Sequence, residues 1–183
     1  RFVLVMLVTL GMLGAQGFAA TKTATTSGNW STTGTWTPVG VPVAGDVVII
    51  NSGVTVTVTA NTASVNSITI NSGGILQGDG TAKILSYGGG AGQDMTNNGT
   101  LDAAGAHAMT VSFNRNSQWG GTGVNNISFL TVNNRTWTFT AGTTINVNIS
   151  GAPDPLTGTG TITPSATLTF TYNGTSAQNI GNS

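Results

Sequence analysis

Beyond residue 20 the chain alternates apolar and polar positions with a period of two. The apolar set includes Val54, Val56 and Val58; Ile68 and Ile70; Ile145, Val147 and Ile149; and Leu168, Phe170 and Tyr172, with Thr, Asn or Ser between them. Successive side chains of a strand point to opposite faces, so this pattern predicts one half-buried strand after another. Thr, Val and Ile branch at Cβ and fit a pleated surface better than a helix. No stretch after residue 20 holds apolar residues at a spacing of about 3.6 over ten positions, so the rest of the chain is expected to contain almost no helix.

The strands repeat. "VVIINSGVTV" (47–56) aligns with "SITINSGGIL" (67–76) at an offset of twenty, placing Val48 on Ile68, Ile50 on Ile70, and Asn51-Ser52-Gly53 on Asn71-Ser72-Gly73. In "MTNNGTL", Asn98-Gly99 takes the same corner role. One such unit cannot bury its own inward side chains, so units of two short strands hinged at a corner must stack. Gly at the corner supplies the positive φ of a tight bend, and Asn and Ser cap backbone groups or form ladders. The expected fold is all-β: a right-handed β-solenoid with an N-terminal cap, preceded by a signal-peptide helix. A longer similarity relates residues 111–123 to residues 170–182, matching Phe113 to Tyr172, while the Gly/Asn-rich stretch 114–123 shows no clear rung spacing.

Three divisions follow. Residues 1–20 read as a signal peptide: the apolar run Phe2 to Leu13 follows Arg1, and Gly17 and Ala19 are the small residues that precede a cut after Ala19 or Ala20. The run is short of the ~20 residues a spanning helix needs. Residues 21–46 read as a capping segment, in which Trp30, Trp36, Pro38 and Pro42 fold over an exposed rung end and Asp46 accepts hydrogen bonds from a neighbouring turn. Residues 47–183 read as solenoid rungs, expected to continue past Ser183. Export agrees with stability drawn from packing, since the chain has no cysteine to cross-link.

Composition narrows the function. Charged residues make up 5% of the chain, five Lys+Arg against five Asp, with no basic run and no Glu. Nucleic acid and membrane surfaces, which need a positive footprint, are therefore not expected partners. Glycosidase chemistry generally needs paired carboxylates, but Asp46, Asp79, Asp94, Asp102 and Asp154 are scattered singly. His107, the one histidine, lies among small residues and reads as a solvent-facing turn residue. "QGDGTA" (77–82) reads as a turn centred on Asp79-Gly80, because it lacks the further ligands of a calcium loop. "SYGGGAGQ" (86–93) precedes no helix that could hold a phosphate, and reads as an excursion from a rung. No catalysis, cofactor or metal is expected in this segment.

The residues from "SGNWSTTGTWTPVGVPVAGDVVIINSGVTVTV" through "NSITINSGGIL", "NNGTLDA" and "FLTVNN" resemble the opening of large secreted bacterial β-helix proteins of the repetitive, adhesin-like kind. The first part is also similar to the eight-glycine domain of extracellular proteins. The resemblance implies a structural or adhesive module at the cell surface, with surface glycans or neighbouring cell-surface proteins as partners. The alternative is a carbohydrate-binding β-helix module attached to a polysaccharide-degrading enzyme. In that reading Trp30 and Trp36, and also Trp119 or Trp137, would be the ligand-binding residues on which sugar rings stack.

Overall fold

The structure, a computed structural model, describes residues 19–88, 93–113, 115–132, 136–140, 143–147, 156–157, 161–164 and 169–172. The expected signal-peptide helix falls outside them, apart from Ala19 and Ala20. Among the described residues no helix is long and apolar enough to cross a membrane.

The described chain is a β-solenoid. It opens with β1 (Thr21–Ala24), β2 (Gly28–Asn29) and β3 (Trp36–Thr37), followed by β4 (Val47–Ile50) and β5 (Thr55–Val58). From there each turn supplies three strands: β6 (Ser67–Ile70), β7 (Ile75–Gly78) and β8 (Ile84–Tyr87); β9 (Gln93–Asn97), β10 (Thr100–Ala103) and β11 (Thr110–Phe113); β12 (Ser117–Gly120), β13 (Val124–Ile127) and β14 (Phe129–Val132); β15 (Thr136–Phe139), β16 (Thr144–Val147) and β17 (Leu156–Thr157). The last pair is β18 (Thr161–Pro164) and β19 (Thr169–Tyr172). The strands stack into three sheets. The first runs β1-β4-β6-β9-β12-β15-β18, the second β2-β5-β7-β10-β13-β16-β19, and the third β8-β11-β14-β17. All these pairings are parallel; β3, which lies outside β1 in the first sheet, is antiparallel to it.

The register is the one the internal repeat predicts. Val48 pairs with Ile68, Ile50 with Ile70, and Thr55 with Ile75. At the corners Gly53 and Gly73 have φ of 73° and 80°, and Asn71 Nδ2 donates to Asn51 Oδ1 at 3.4 Å. Asn98 stands over Asn71, its N–H donating to Ile70 O as the Asn71 N–H donates to Ile50 O. The third corner is tighter, and the side chain of Asn97 secures it by accepting from the Gly99 N–H at 3.0 Å.

Alternate strand residues fill one continuous core, from Trp30 and Trp36 through Val48, Ile70 and Leu101 to Trp119, Phe139 and Ile145. Side chains of neighbouring turns must meet across the strand spacing of ~4.8 Å, so the inward columns hold branched and aromatic residues in contact along the axis. A polar pair drawn from two sheets, Asn97 of β9 and Asn125 of β13, interrupts this pattern. Asn97 and Asn125 are both fully buried, and Asn97 Nδ2 donates to Asn125 Oδ1 and to Val124 O, each at 2.8 Å.

Three expectations are corrected. The solenoid begins at Thr21 instead of Val47, because β1 and β2 already pair in parallel with β4 and β5. The inward positions of β1 are Lys22 and Ala24, which carry no Val/Ile signal, since this turn faces the cap. The stretch 114–123 does not interrupt the rungs: it contributes β12, and the corner after it bends at Gly121, where φ is +102°. The similarity of 111–123 to 170–182 does not mark equivalent places either. Phe113 ends a strand of the third sheet and Tyr172 a strand of the second, because turns of unequal length carry similar local sequences to different sides. The "GGAG" part of the predicted excursion (89–92) lies outside the described residues.

Candidate functional site

The cap forms around a 3-10 turn at Thr33–Thr35, which brings Trp36 back over Trp30. The two rings meet edge to face, with centroids 5.1 Å apart and planes at 71°. Trp36 Nε1 donates to the Trp30 carbonyl at 2.8 Å, and the Trp30 N–H donates to Thr57 O. Thr35, itself buried, donates from Oγ1 to Asn29 O. Lys22 Nζ donates to the Pro38 and Val39 carbonyls at 3.1 and 3.4 Å, tying the Pro-rich loop to the first strand. Only 3% of Trp30 and 1% of Trp36 is exposed. Hiding ~150–250 Å² per indole is worth roughly 4–6 kcal/mol at ~25 cal/mol per Å². Buried to this extent, neither ring offers a face on which a sugar could stack. Trp119 is fully buried as well, stacked on Phe139 at 6.2 Å and edge-on to Tyr87 at 6.3 Å. The Trp137 side chain lies outside the described residues.

The aspartates have separate surroundings. Asp46 is buried, its carboxylate accepting from the Ala20 N–H at 2.8 Å and the Val43 N–H at 2.9 Å, as expected of a residue serving a neighbouring turn. Asp79 is exposed and accepts from the N–H and hydroxyl of Thr81, and the hydroxyl bond holds its pKa below the usual carboxylate range. This is a side-chain-to-backbone turn around Gly80, whose φ is +81°. Asp94 is buried beside Ser117 and Tyr87. Burial raises its pKa, against the Ser117 hydroxyl and the Gln118 N–H, which favour the carboxylate. Tyr87 is pushed up for the same reason. Ser117 Oγ lies near both groups. Asp102 sits half-buried on the outer face, and Asp154 is outside the described residues. Among the described residues no group of three or more His, Cys, Asp or Glu could hold a metal ion. His107 ends a 3-10 turn as a half-buried residue, not a solvent-facing one, because its Nδ1 reaches Gly78 O of the preceding turn at 3.1 Å.

A continuous polar surface runs along the outer face of the second sheet. Asn29, Thr57, Gln77, Asp102, Asn126 and Asn146 stand in register across six strands. Gln77 Nε2 donates to Thr57 Oγ1, and Asn146 Nδ2 donates to Asn126 Oδ1, both at 3.1 Å. Beside this column run Thr55, Ile75, Thr100 and Val124. The side chains thus form a polar ladder with one carboxylate, its rungs spaced ~4.8 Å apart by the backbone. At the corners between the second and third sheets a groove of about 320 Å³ is lined by Gly80, Thr81, Ala82, Met109 and Phe129.

No family model matches the chain, and neither a curated protein nor a solved structure matches it. Thr/Asn-rich outer faces follow from the alternation, but this column does not. Its members come from strands separated by unequal corners, so their alignment is set by turn length and cannot be read from one fixed offset. Gln77 over Thr57 continues the twenty-residue offset one residue past the aligned segments.

Proposed function

We propose that this chain is the structural and adhesive module of an exported, surface-exposed repetitive β-helix protein. In this role the solenoid is a rigid support, and the outer ladder of its second sheet makes contact with surface glycans or neighbouring surface proteins. The observation that carries the reading is the registered column from Thr57 to Asn146, an almost uncharged row of hydroxyl and amide groups on a backbone that cannot rearrange without unpairing whole sheets. Amide and hydroxyl groups both donate and accept, which suits sugar hydroxyls and peptide edges. Low charge agrees with it, because affinity would come from many short polar contacts and not from long-range attraction. The resemblance of the opening segment to eight-glycine extracellular domains points the same way.

The test is gain of adhesion. A non-adherent bacterium displaying the solenoid through a heterologous anchor should bind glycan-coated or cell-coated surfaces. A strain displaying the same solenoid with Asn126→Lys and Asn146→Lys should bind at the level of the empty anchor. Equal adhesion of the two strains would count against the ladder as the contact surface, and release of soluble sugar from the coat would point to an enzyme instead.

A further inference from the structure

The amide of Ala20 is held by a buried carboxylate at the one point where the fold begins. Asp46 is 1% exposed, and its two oxygens are taken by the N–H groups of Ala20, at 2.8 Å, and Val43, at 2.9 Å. The Ala20 carbonyl in turn accepts from the Val47 N–H at 2.8 Å, and β1 starts at the next residue. Ala19, immediately before, is exposed. Both donors to Asp46 are neutral backbone amides, and a buried carboxylate gains from a hydrogen-bonded counter-charge. In the sequence the same bond has small residues one and three positions before it, Ala19 and Gly17, behind the apolar run Phe2 to Leu13, the layout of a processed leader.

We infer that the Ala19–Ala20 peptide bond is the processing site of this chain and that the α-ammonium released at Ala20 forms an ion pair with Asp46. A signal peptidase hydrolyses the bond with one water, leaving a carboxylate on Ala19 and an amine on Ala20. That amine takes up a proton at neutral pH, where α-amino groups with a pKa of ~8 are charged. The new cation then stands where the Ala20 N–H already stands, against Asp46 Oδ1. A cut after Ala20 would remove both the donor to Asp46 and the acceptor for Val47, so the geometry selects between the two sites that the sequence leaves open. The inference rests on the export part of the proposed function.

The experiment expresses the full chain in an exporting bacterial host and determines the N-terminus of the exported protein by intact mass. The expected first residue is Ala20. The exported protein is then compared with a chain carrying Gly-Ser before Ala20, which replaces the ammonium by an amide and leaves Asp46 in place. Pairing raises the α-amino pKa in the folded state, so its stabilisation is present below ~8 and is lost as pH rises through the raised value. The exported form should therefore melt higher than the extended one at pH 6–7, and the gap should close by about pH 10–11. Asp46→Asn in both chains should remove the gap; if that variant fails to fold, the extended chain alone decides. A first residue other than Ala20, or equal melting of the two chains at every pH, overturns the inference. A leader retained on cytoplasmic protein overturns the export reading as well, whereas export with a cut elsewhere overturns only the inference.

Discussion

The indole N–H of Trp36 donates to the Trp30 carbonyl at 2.8 Å while the two rings meet edge to face at 5.1 Å, so one residue pair closes the first turns of the solenoid by both packing and hydrogen bonding. Replacing either indole by Ala opens a cavity over the core. Trp36→Ala is expected to destabilise the protein by about 3–5 kcal/mol, measured by urea unfolding. The double variant with Trp30→Ala should cost less than the sum of the single changes, since each loses the same contact. A Trp36→Ala protein of unchanged stability would mean that these rings do not seal the core.

Asn97 and Asn125 form the buried amide pair inside the apolar core, with Asn125 Nδ2 passing the ladder on to Thr144 O at 3.0 Å. Asn97→Leu removes the donor that Asn125 Oδ1 and Val124 O both use and should cost roughly 1–3 kcal/mol. Replacing both residues by Leu should be better tolerated than the two separate costs imply, with a coupling of about 0.5–3 kcal/mol in a double-mutant cycle. Simple additivity would show that the pair does not act as a unit.

Two glycines with positive φ separate backbone conformation from crowding. A Cβ at Gly53 (φ +73°) would meet nothing within 4 Å, whereas one at Gly121 (φ +102°) would lie 2.1 Å from Asn97 O. Gly53→Ala should therefore show only the left-handed penalty of about 1–2 kcal/mol. Gly121→Ala must also push two turns apart, and it should cost on the order of 4 kcal/mol or prevent folding. Thermal melts of the two variants side by side provide the comparison.

Asp94 sets a pH dependence. Burial raises its carboxyl pKa in the folded state, so between the ordinary carboxylate range near ~4 and the raised value the folded protein holds the proton more tightly than the unfolded chain. Its contribution to stability is then greatest at low pH, falls as pH rises through the raised value, and stays constant above it. Asp94→Asn should remove this slope from urea unfolding measured between pH 4 and 7, and should raise stability at pH 7. An unchanged slope in the variant would place the titrating group elsewhere.

Legibility followed the uniformity of the turns. Val48 over Ile68 and Ile50 over Ile70 could be read because their corners share Asn-Ser-Gly and equal length, and Asn98 could be placed over Asn71 by its corner chemistry alone. Strand β1 was hidden because Lys22 and Ala24 occupy its inward positions: the ammonium reaches Pro38 O and Val39 O at the cap instead of filling the core. Phe113 and Tyr172 misled because a strand's sheet depends on the residues spent at earlier corners, not on its own side chains. The sequence singled out Trp30 and Trp36 as candidate ligand residues or cap residues, but aromatic content alone does not say whether a ring faces a ligand or the core. Their burial decided it. The partner of Asn97 was invisible in the chain because Asn125 lies one long turn away.

The outer ladder of the second sheet is the contact surface in the proposed role. Its most direct measurement is equilibrium binding of the purified solenoid to immobilised cell-surface glycans and surface proteins, for the native protein and for Asn126→Lys with Asn146→Lys, both confirmed folded by melting. Saturable binding that weakens at least tenfold, a loss of ~1.4 kcal/mol, in the ladder variant is the expected result. Binding of equal strength in the two proteins, or none to any surface tested, would contradict it.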